Sequence, residues 1–538
     1  MLLKPIALCL VFAGGIASSL SAQRWLSGFR WGDSGQESLE ALVALGPDGM
    51  LAGGSFTGRV RWNGRELLSR GEEDIFLVRF TPDTGFGEGF SLGGPGSDVL
   101  SGLAELPDGG VLAAGEFWQE LVFEGGHRLE SGANAKALFV SRWSQEATLL
   151  WARHIEGGSI KVVRDIVWGG DSSIYVTGYF SDSLRFDSMV WYAEGNSSAF
   201  LLKLDSEGRL DWGKTIGGAG DVRAMALVHT NKHLVIAGKY NHRLEVGDTM
   251  LQANTRDWDM FLTAFSEEGT LRWVRKAGGV YDDEVQDMTS DAEGNVYLCG
   301  KLVGVMQLAD GWSIQSRDGN ADGFLLKYDK DGFPRQAFTF PGNGVQEALH
   351  LKQHQGNLVV TGIFQGTLEW AGTVLQAGSV FHGFMAFLDT SGQAPGLVHL
   401  PADKGLLPGA LQPLPDGSWL LGGTYQGASS SLPGLSPTAG GFDAFLLHWG
   451  ADRPTAVAAQ APSWADSLLL VPNPAWQTVR IEGEGWDFAS VFTANGQWVR
   501  SISSAVPVIA LHDLPTGVYF VRFVKDVAIV WRKLWIQR

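Results

Sequence analysis

Pairs of glycines followed by an acidic residue recur in this chain, and this combination could bind a metal ion. They occur at 93–98 (GGPGSD), 217–221 (GGAGD) and 278–283 (GGVYDD), and an aspartate near the start has a similar setting. The candidate ligands are therefore Asp33, Asp98, Asp221 and Asp283. Carboxylate oxygens are ligands that Ca²⁺ prefers, so a ring of these residues could hold that ion. Alternatively, each aspartate hydrogen-bonds backbone N–H groups of its own turn.

Trp118 and Trp312 form the second candidate feature. The chain contains 21 tryptophans, and we expect most of them inside the fold. These two occupy positions where the related segments described below carry polar residues. Exposed aromatic rings make favourable contacts with ligands and protein partners. Both residues are therefore candidate contacts to a polysaccharide or protein ligand, and the alternative is partial burial between neighbouring structural units.

The remaining motifs do not support catalysis. The glycine-rich loops lack the Lys-Ser/Thr pair and the helix start of a phosphate-binding loop. The segment DKDG at 329–332 resembles the opening of a calcium loop but lacks the later ligands. The His, Ser and Asp residues show no nucleophile-elbow motif and no repeated metal-ligand spacing. We expect no catalytic residue and no cofactor other than the Ca²⁺ considered above.

These candidates belong to a repeat of about sixty residues that occurs seven times. One glycine per copy closes a short apolar run, with 60 to 63 residues between copies: Gly54, Gly115, Gly178, Gly238, Gly300, Gly362 and Gly423. One phenylalanine per copy opens a second apolar run with the same spacing: Phe76, Phe139, Phe200, Phe261, Phe324, Phe384 and Phe445. Two independent columns in one register indicate a structural repeat.

Each copy predicts four β-strands, because apolar and polar residues alternate with a period of two between turn residues. Four antiparallel strands make one blade, and seven blades close into a propeller. The segment RWLSGFRW at 24–31 predicts a strand that completes the last copy, so that no sheet edge stays open. Three of the seven loops between copies lack the acid, and we therefore favour turn bonding over Ca²⁺ binding for the aspartates.

A long hairpin joins the two middle strands in six of the copies. Near its tip one column is always apolar: Trp62, Phe123, Phe186, Val246, Leu308 and Trp370. A position that is apolar in every copy predicts packing and not ligand contact. In the seventh copy a Pro/Gly/Ser-rich loop at 427–441 replaces the hairpin, and we expect a gap in the rim there.

The segments IYVTGYF at 174–180, VYLCG at 296–300 and DGFLLKYD at 322–329 characterise the repeat. With these segments, the repeat resembles the glycine-rich bacterial β-propeller repeats over about residues 24–450. The resemblance implies a seven-bladed β-propeller at 23–450. It implies hardly any activity, because propellers serve unrelated functions.

Composition and charge exclude several classes of protein. A hydrophobic fraction of 45%, a charged fraction of 18% and 72 glycines in 538 residues fit a turn-rich globular β protein. The formal net charge of −17 repels phosphate backbones, so we expect no nucleic-acid partner. No apolar run is long enough to span a bilayer, so we expect no transmembrane segment in the mature chain.

Residues 1–22 have the layout of a secretory signal peptide. Lys4 precedes an apolar run at 6–17 and the small-residue segment SSLSA, which predicts cleavage after Ala22. Removal of this segment also removes Cys9, so Cys299 is the one cysteine that we expect in the mature chain. We predict that Cys299 is a buried core thiol and that no internal disulfide forms.

A second domain follows a linker at 451–467, which is rich in Ala and Pro. About seven strand patterns at 468–538 predict a small immunoglobulin-like β-sandwich. Its distinctive residues are Pro472, Asn473, Pro474, Gly496, Gly517, Tyr519 and Lys533. With these residues the segment resembles the carboxyl-terminal sorting domain of the type IX secretion system of Bacteroidetes. The resemblance implies export by that machinery, and the alternative is an ordinary accessory domain.

The sequence thus predicts an all-β chain, a seven-bladed β-propeller followed by a small immunoglobulin-like β-sandwich. We expect it to be secreted or located on the outer cell surface, where it binds a polymer or protein partner. Two alternatives stay open. A secreted enzyme that cleaves polysaccharide or peptide would be favoured by acids and a histidine that converge in one deep pocket, and a structural surface component would have no specific ligand.

Overall fold

A computed structural model describes most of the chain. It covers residues 23–451 except 33–34, 46–48, 63–64, 83–84, 133–134, 171, 231–232, 256, 394–395 and 439–440, and then 469–471, 478–482, 488–493, 498–503, 508–511, 514–525 and 528–537. The chain divides into two compact units, the first ending at Ala451 and the second beginning at Asp452. Within these described stretches, no helix has the length and apolar character that crossing a membrane requires.

The first unit is a β-propeller of seven antiparallel blades with four strands each, and the sheet of blade 2 continues into the hairpin strands Ser183–Phe186 and Met189–Tyr192 of blade 3. In each blade the strands pair in the order a, b, c, d, and the a strands line the central channel. Blade 1 comprises Glu37–Leu45, Gly49–Phe56, Asp74–Thr81 and Gly85–Leu92; blade 2, Val99–Glu105, Val111–Trp118, Lys136–Trp143 and Leu149–Gly157; blade 3, Lys161–Trp168, Ile174–Phe180, Ser198–Leu204 and Leu210–Ile216; blade 4, Val222–His229, Leu234–Tyr240, Asp259–Phe265 and Leu271–Ala277. Blade 5 comprises Glu284–Ser290, Val296–Val303, Ala321–Tyr328 and Pro334–Phe340; blade 6, Gln346–His354, Asn357–Trp370, Thr373–Asp389 and Gly396–Leu400; blade 7, Gly405–Pro413, Trp419–Gln426, Asp443–Ala451 and Gln23–Trp31.

The first strand of the chain closes the ring, as the sequence predicts. Gln23–Trp31 pairs antiparallel with Asp443–Ala451 and so supplies strand d of blade 7. The rings of Trp25 and Trp449 meet edge to face across this pair, with centroids 4.9 Å apart. Every blade therefore has four strands, and the two ends of the array are joined without an open edge.

The two repeat columns are cross-strand partners in every blade. In blade 3, for example, Gly178 of strand b lies opposite Phe200 of strand c. A side chain at Gly178 would meet the carbonyl oxygen of Val162 on strand a at 1.9 Å and the Phe200 ring at 3.0 Å. Only glycine leaves room there for both the ring and the close approach of strand a, which explains the spacing seen in the sequence.

Neighbouring blades are tied together at the turns between strands c and d. Trp151 Nε1 donates to the carbonyl oxygen of Ser206 in the next blade at 2.9 Å, and Trp212 Nε1 donates to that of Glu267 at 3.2 Å. The basic residue three positions after the repeat phenylalanine also reaches the next blade's turn in four blades: Arg79, Arg142, Lys203 and Lys327. The repeat therefore supplies its own inter-blade contacts.

The b to c hairpins have a buried inner row, as the sequence predicts. Separate hairpin strands are Arg59–Trp62 with Arg65–Leu68, Glu120–Val122 with Arg128–Glu130, Ser183–Phe186 with Met189–Tyr192, Arg243–Val246 with Thr249–Gln252, and Val305–Gln307 with Ser313–Gln315, the last pair joined through a 3-10 turn at Ala309–Gly311. All six members of the apolar column are buried: Trp62, Phe123, Phe186, Val246, Leu308 and Trp370. These residues hold the hairpins against the blades.

The loop that replaces the seventh hairpin folds back onto its own blade. Leu432 and Leu435 are buried beside strands of blades 6 and 7, and Tyr425 Oη donates to the carbonyl oxygen of Ser436 at 2.6 Å. Thr438 N donates to the carbonyl oxygen of Gly427, which closes the loop at its base. Within its described residues this loop forms no strand, whereas the paired strands of blade 6 continue to Trp370 and Thr373.

The second unit contains seven described strands in two sheets. Leu469–Val471, Thr478–Glu482 and Val508–Ala510 form one sheet, and Phe488–Thr493, Trp498–Ser503, Gly517–Lys525 and Ala528–Ile536 form the other. Its buried core includes Val479, Val491, Ile509, Val521 and Leu534. The strand number agrees with the sequence, and the immunoglobulin-like assignment stays a prediction.

Some residues of the predicted sorting motif can be placed in this unit. Gly517 begins a strand, Tyr519 is buried and its hydroxyl donates to the carbonyl oxygen of Pro515 at 3.1 Å, and Lys533 lies in the last strand. The remaining motif residues, Pro472, Asn473, Pro474 and Gly496, and the predicted cleavage site at Ala22 lie outside the described residues.

Candidate functional site

The d to a loops and the b to c hairpins form one face of the propeller. Glycines of three loops, Gly93, Gly217 and Gly278, pair with the hairpin of the blade that follows. Because the strands are antiparallel, the a to b and c to d turns lie on the opposite face. We call these the hairpin face and the turn face.

Asp98 and Asp283 are buried within their loops. Asp98 accepts hydrogen bonds from the backbone N–H of Gly94 at 2.7 Å and of Trp118 at 3.1 Å. The Asp283 carboxyl lies near the backbone N–H groups of Val303 and Gly279, but neither of its oxygens has the geometry of a hydrogen bond within the described residues. Burial raises the pKa of both carboxyls to about 7, against the opposing effect of these N–H groups.

The same position is polar and buried in three other blades: Glu37, Lys161 and Gln346. Lys161 Nζ donates to the carbonyl oxygen of Gly157 at 3.1 Å, and Gln346 Nε2 donates to that of Thr367 at 2.8 Å. Lys161 therefore contacts the backbone of its d to a loop as a donor, whereas Gln346 contacts strand b of its own blade. Asp98 bonds a backbone N–H of its own loop as the turn-bonding interpretation describes, and for the other candidate aspartates the interpretation stays a prediction.

The other two candidate aspartates do not complete a ring. Asp221 is half-buried and accepts hydrogen bonds from Ser197 Oγ at 2.9 Å and Asn196 Nδ2 at 3.2 Å, while Asp33 lies outside the described residues. Among the residues that the structure describes, no group of three or more His, Cys, Asp or Glu side chains is placed to hold a metal. Ca²⁺ binding stays a prediction to be tested.

Trp118 and Trp312 are both solvent-exposed on the hairpin face, at 38% and 40%. Trp118 ends strand b of blade 2 beside the loop of Asp98, and Trp312 follows the 3-10 turn in the hairpin of blade 5. Blades 2 and 5 are not neighbours in the ring. The structure therefore brings Trp118 to Asp98 but does not join the two tryptophans into one site.

The central channel contains a polar cluster that the sequence did not reveal. In every blade a β-bulge in strand a points one extra residue at a cavity of about 870 Å³: Glu40, Ser101, Arg164, Met225, Gln286, Leu349 and Gly409. The next residue is Ala or Gly in four blades but Asp165, Asp287 and His350 in the other three. These three polar residues at a position that is otherwise small were the only hint of the cluster in the sequence. The position can be recognised only once the β-bulge is known, because the bulge decides which residues face the channel.

Asp165 and Asp287 link neighbouring blades across the channel wall. Asp165 accepts hydrogen bonds from the backbone N–H of the residue after it and from that of Leu227 in blade 4, both at 2.8 Å. Asp287 repeats the arrangement toward Leu351 of blade 6 at 2.9 Å. Burial raises the pKa of Asp165 to about 7. Because both oxygens of each carboxylate are engaged, these residues first serve to hold the blades together.

His350 lies beside this cluster. Its Nδ1 is 4.0 Å from Asp287 Oδ2. Burial lowers the pKa of His350, Asp287 opposes that effect, and the charges of Lys352 and Arg164 add to it. The channel therefore contains a neutral imidazole, two carboxyls and two cations near one another.

Cys299 is fully buried, as predicted, and burial raises the pKa of its thiol. It packs with core residues of blades 5 and 6. A buried thiol of raised pKa has little thiolate at neutral pH and is chemically inert.

The hairpin face carries nearly all of the exposed large apolar side chains of the propeller. Of sixteen among the described residues, fourteen lie on hairpins, d to a loops or b to c connections: Leu68, Trp118, Ile160, Met189, Val190, Tyr192, Met250, Val280, Tyr281, Val305, Trp312, Val374, Phe381 and Phe442. Leu407 lies in strand a of blade 7, and Leu150 lies toward the turn face. The distribution of exposed large apolar side chains between the two faces is therefore strongly one-sided.

Blades 3 to 5 carry eight of these residues, which we call the apolar arc: Met189, Val190, Tyr192, Met250, Val280, Tyr281, Val305 and Trp312. Beneath the arc, the guanidinium of Arg223 lies 5.0 Å from the ring centre of Tyr179 and 4.9 Å from that of Trp258. Lys239 Nζ lies over Trp258 at 4.8 Å and pairs with a Glu284 carboxylate oxygen at 3.1 Å. These cation–π and ionic contacts join blades 3, 4 and 5 to one another.

Comparison with known proteins adds little to this picture. No protein-family model matches the chain. The regulatory protein FlaEY of Caulobacter vibrioides is 27% identical over 190 residues, a match that covers 34% of this chain and 20% of that protein. The chain thus matches only a fifth of the length of this relative.

Solved structures that resemble the chain share little sequence with it. A protein of unknown function from Dyadobacter fermentans is 11% identical, with 80% of this chain and 99% of that chain covered and a TM-score of 0.39. A glucose dehydrogenase is 11% identical, with 78% of this chain and 99% of that chain covered and a TM-score of 0.33. PorZ, a surface component of the type IX secretion system of Porphyromonas gingivalis, is 10% identical, with 94% of this chain and 100% of that chain covered and a TM-score of 0.14. At these scores the likenesses carry no functional information.

Proposed function

We propose that this chain is a secreted or cell-surface propeller that binds a polymer or protein partner through its hairpin face. The observation that carries the proposal is the one-sided distribution of exposed apolar side chains, which is densest in the apolar arc. Burying such side chains against a partner removes apolar surface from water, which favours association. The turn face offers no comparable surface among the described residues, since its aspartates bond their own turns, as Asp291 and Asp329 do.

The proposal is tested by comparing substitutions on the two faces. The full chain, the double variant Tyr192→Ser/Tyr281→Ser and the control Leu150→Ser are applied to an array of defined polysaccharides and proteins. The substituted side chains are 73%, 55% and 55% exposed, so all three proteins should fold. We expect the double variant to lose partners that the parent and the control retain. Binding that survives the double variant but is lost in the control would contradict the assignment.

The same proposal places the protein outside the cell through its carboxyl-terminal segment. Its support is the sequence resemblance of 468–538 to type IX sorting domains, together with the separate core of the second unit. The test expresses the whole chain and a chain ending at Ala451 in a bacterium with a working type IX system. We expect the whole chain outside the cell and the shortened chain in the periplasm. Equal export of both would contradict the sorting role.

A second candidate function is hydrolysis within the channel. The specific observation in its favour is that Asp165, Asp287 and His350 converge there, which is the arrangement that we expected of an enzyme. The engagement of both carboxylates by backbone N–H groups weighs against it. Incubating the full chain and His350→Ala with fluorogenic polysaccharides and peptides decides the matter, because only a hydrolase would show turnover that the variant loses.

A further inference from the structure

The outer strand of the blade 3 hairpin is the edge of a large sheet. The four strands of blade 2 continue through Ser183–Phe186 into Met189–Tyr192, which is the last of six strands. In the described part of the chain, no strand pairs with the other side of Met189–Tyr192. An unpaired edge presents a row of backbone N–H and C=O groups that matches the backbone of another extended chain.

Two residues of this strand direct their backbone groups outward. Ala193 N donates to the carbonyl oxygen of Asp182, just beyond the paired strands. Along an antiparallel ladder, hydrogen-bonded pairs alternate with pairs that are not hydrogen-bonded, so Tyr192 and Val190 belong to pairs of the second kind. In agreement, the carbonyl oxygen of Ser183, opposite Tyr192, accepts a hydrogen bond from the preceding blade. The N–H and C=O groups of Val190 and Tyr192 therefore point away from the hairpin.

The side chains of this strand do not protect its edge. Natural edge strands commonly carry charged residues that prevent pairing with another chain. The outer hairpin strands of blades 1 and 2, Arg65–Leu68 and Arg128–Glu130, contain two charged residues each, and those of blades 4 and 5 begin and end with polar residues. Met189–Tyr192 reads MVWY, and Tyr192 is 73% exposed. Among these outer strands, the one in blade 3 is therefore the apolar one.

Acidic residues lie at both ends of the strand. Asp187 in the hairpin turn and Glu194 beyond the strand are exposed, as is Asp182. Between 182 and 194 the sequence has these three acids and one base, Arg185. Two copies of this chain paired antiparallel through the strand would bring acidic ends together, and each copy has a formal net charge of −17. A partner segment with a basic residue near each end complements this charge.

We infer that Met189–Tyr192 binds an extended segment of a protein partner, which joins the sheet as a further strand and carries basic residues on either side of an apolar centre. Because it rests on the proposed function of the hairpin face, this binding mode narrows the partner from any polymer to a polypeptide. The outward N–H and C=O groups of Val190 and Tyr192 pair with the backbone of the segment. Their side chains lie on one face of the strand and contact β-branched or aromatic residues of the segment.

The first test measures binding of two labelled peptides to the full chain by fluorescence anisotropy. One peptide is Lys-Thr-Val-Thr-Val-Thr-Lys, and the other has glutamate in place of both lysines. We expect the lysine peptide to bind and the glutamate peptide to bind about fivefold more weakly or worse, because two exposed ion pairs become two repulsions. Absence of binding by the lysine peptide at millimolar concentration would overturn the inference.

A modified peptide tests the backbone pairing on the unchanged protein. The lysine peptide is N-methylated at its five central residues, which keeps its side chains and charges but removes the N–H groups that strand addition uses. We expect its affinity to fall about tenfold or more, since unpaired backbone groups of the edge then remain in the complex. Equal affinities of the methylated and unmodified peptides would contradict strand addition.

A matched pair of protein variants tests the position of the strand. Val190→Pro removes one outward N–H without removing a hydrogen bond of the hairpin, and proline is tolerated on edge strands in this orientation. Met250→Pro is the control, because Met250 has the same register position in the hairpin of blade 4. We expect Val190→Pro to weaken binding of the lysine peptide about tenfold and Met250→Pro to bind as the parent does. Urea unfolding checks that both variants are folded, and unchanged binding by folded Val190→Pro would overturn the inference.

Two further measurements separate this inference from its alternatives. Sedimentation of the full chain should show a monomer, and a dimer that Val190→Pro dissociates would assign the strand to a second copy instead. The array of polysaccharides and proteins is also probed with Val190→Pro. Array binding that is lost in Tyr192→Ser/Tyr281→Ser but kept in Val190→Pro would preserve the hairpin-face function and reject strand addition, so the two failures are distinguishable.

Discussion

Replacing Gly178 by alanine should destabilise the propeller far more than an ordinary glycine substitution. An added Cβ would lie 1.9 Å from the carbonyl oxygen of Val162, whereas real Cβ atoms essentially never come closer than 3.0 Å. Strands a and b of blade 3 would have to separate by at least 1.1 Å, the difference between those distances. The Phe200 ring at 3.0 Å blocks movement in the other direction. Overpacking of this kind costs up to about 3 kcal/mol.

The assay is urea unfolding of the full chain, followed by tryptophan fluorescence, with a matched control in the same blade. Gly170 lies in the a to b turn of blade 3 and an added Cβ there meets nothing within 4 Å. Gly170→Ala should therefore unfold at the parent's urea concentration, while Gly178→Ala should unfold at a clearly lower one. Equal midpoints for Gly178→Ala and the parent would refute the explanation given for the glycine column.

Four further predictions concern single groups. Trp212→Phe removes the hydrogen bond to the Glu267 carbonyl and should cost about 1 kcal/mol of unfolding free energy in the same urea assay. Cys299 should react with Ellman's reagent only after urea unfolding, because burial raises its pKa and closes access; rapid labelling of the native chain would refute this. Asp98 and Asp283 have pKa values of about 7 in the folded chain and ordinary values near 3.8 in the unfolded chain. Their contribution to stability is therefore full below about pH 4 and is lost as the pH rises to 7. Asp98→Asn should reduce this pH dependence of the unfolding free energy. Calorimetric titration with millimolar Ca²⁺ should give no heat of binding if the aspartates only bond their turns.

The propeller could be predicted because the residues that repeat in the sequence also make the same contact in every blade. Gly300 and Phe324 mark the sequence period, and they are cross-strand partners that must recur wherever strand a approaches strand b so closely. The closing strand could also be predicted, because a ring leaves only one place for an unpaired first strand. Lys327, which the sequence offered only as part of a family motif, proves to reach the carbonyl of Thr390 in the next blade.

The channel cluster could not be predicted, because the β-bulge changes which side of strand a faces inward. If side chains alternate strictly between the two faces of the strand, the residues after the bulge are assigned to the wrong face. The amino-acid sequence contains no pattern that identifies the bulge. Asp165 and His350 therefore looked like scattered polar residues.

The different roles of the two faces follow from how a ring of blades is held together. On the turn face, side chains such as Trp151 and Arg142 donate hydrogen bonds to the carbonyl oxygen of Ser206 in the next blade. A substitution there therefore weakens the contact between two blades. On the hairpin face, the buried inner row packs against the blades, backbone pairs such as Gly93 with Val122 join a hairpin to the preceding blade, and outer residues such as Tyr192 are exposed. Outer residues such as Tyr192 can therefore vary without loss of the ring. The exposed apolar side chains of the hairpin face are therefore the part of the propeller where substitution tests the proposed partner without first testing the ring.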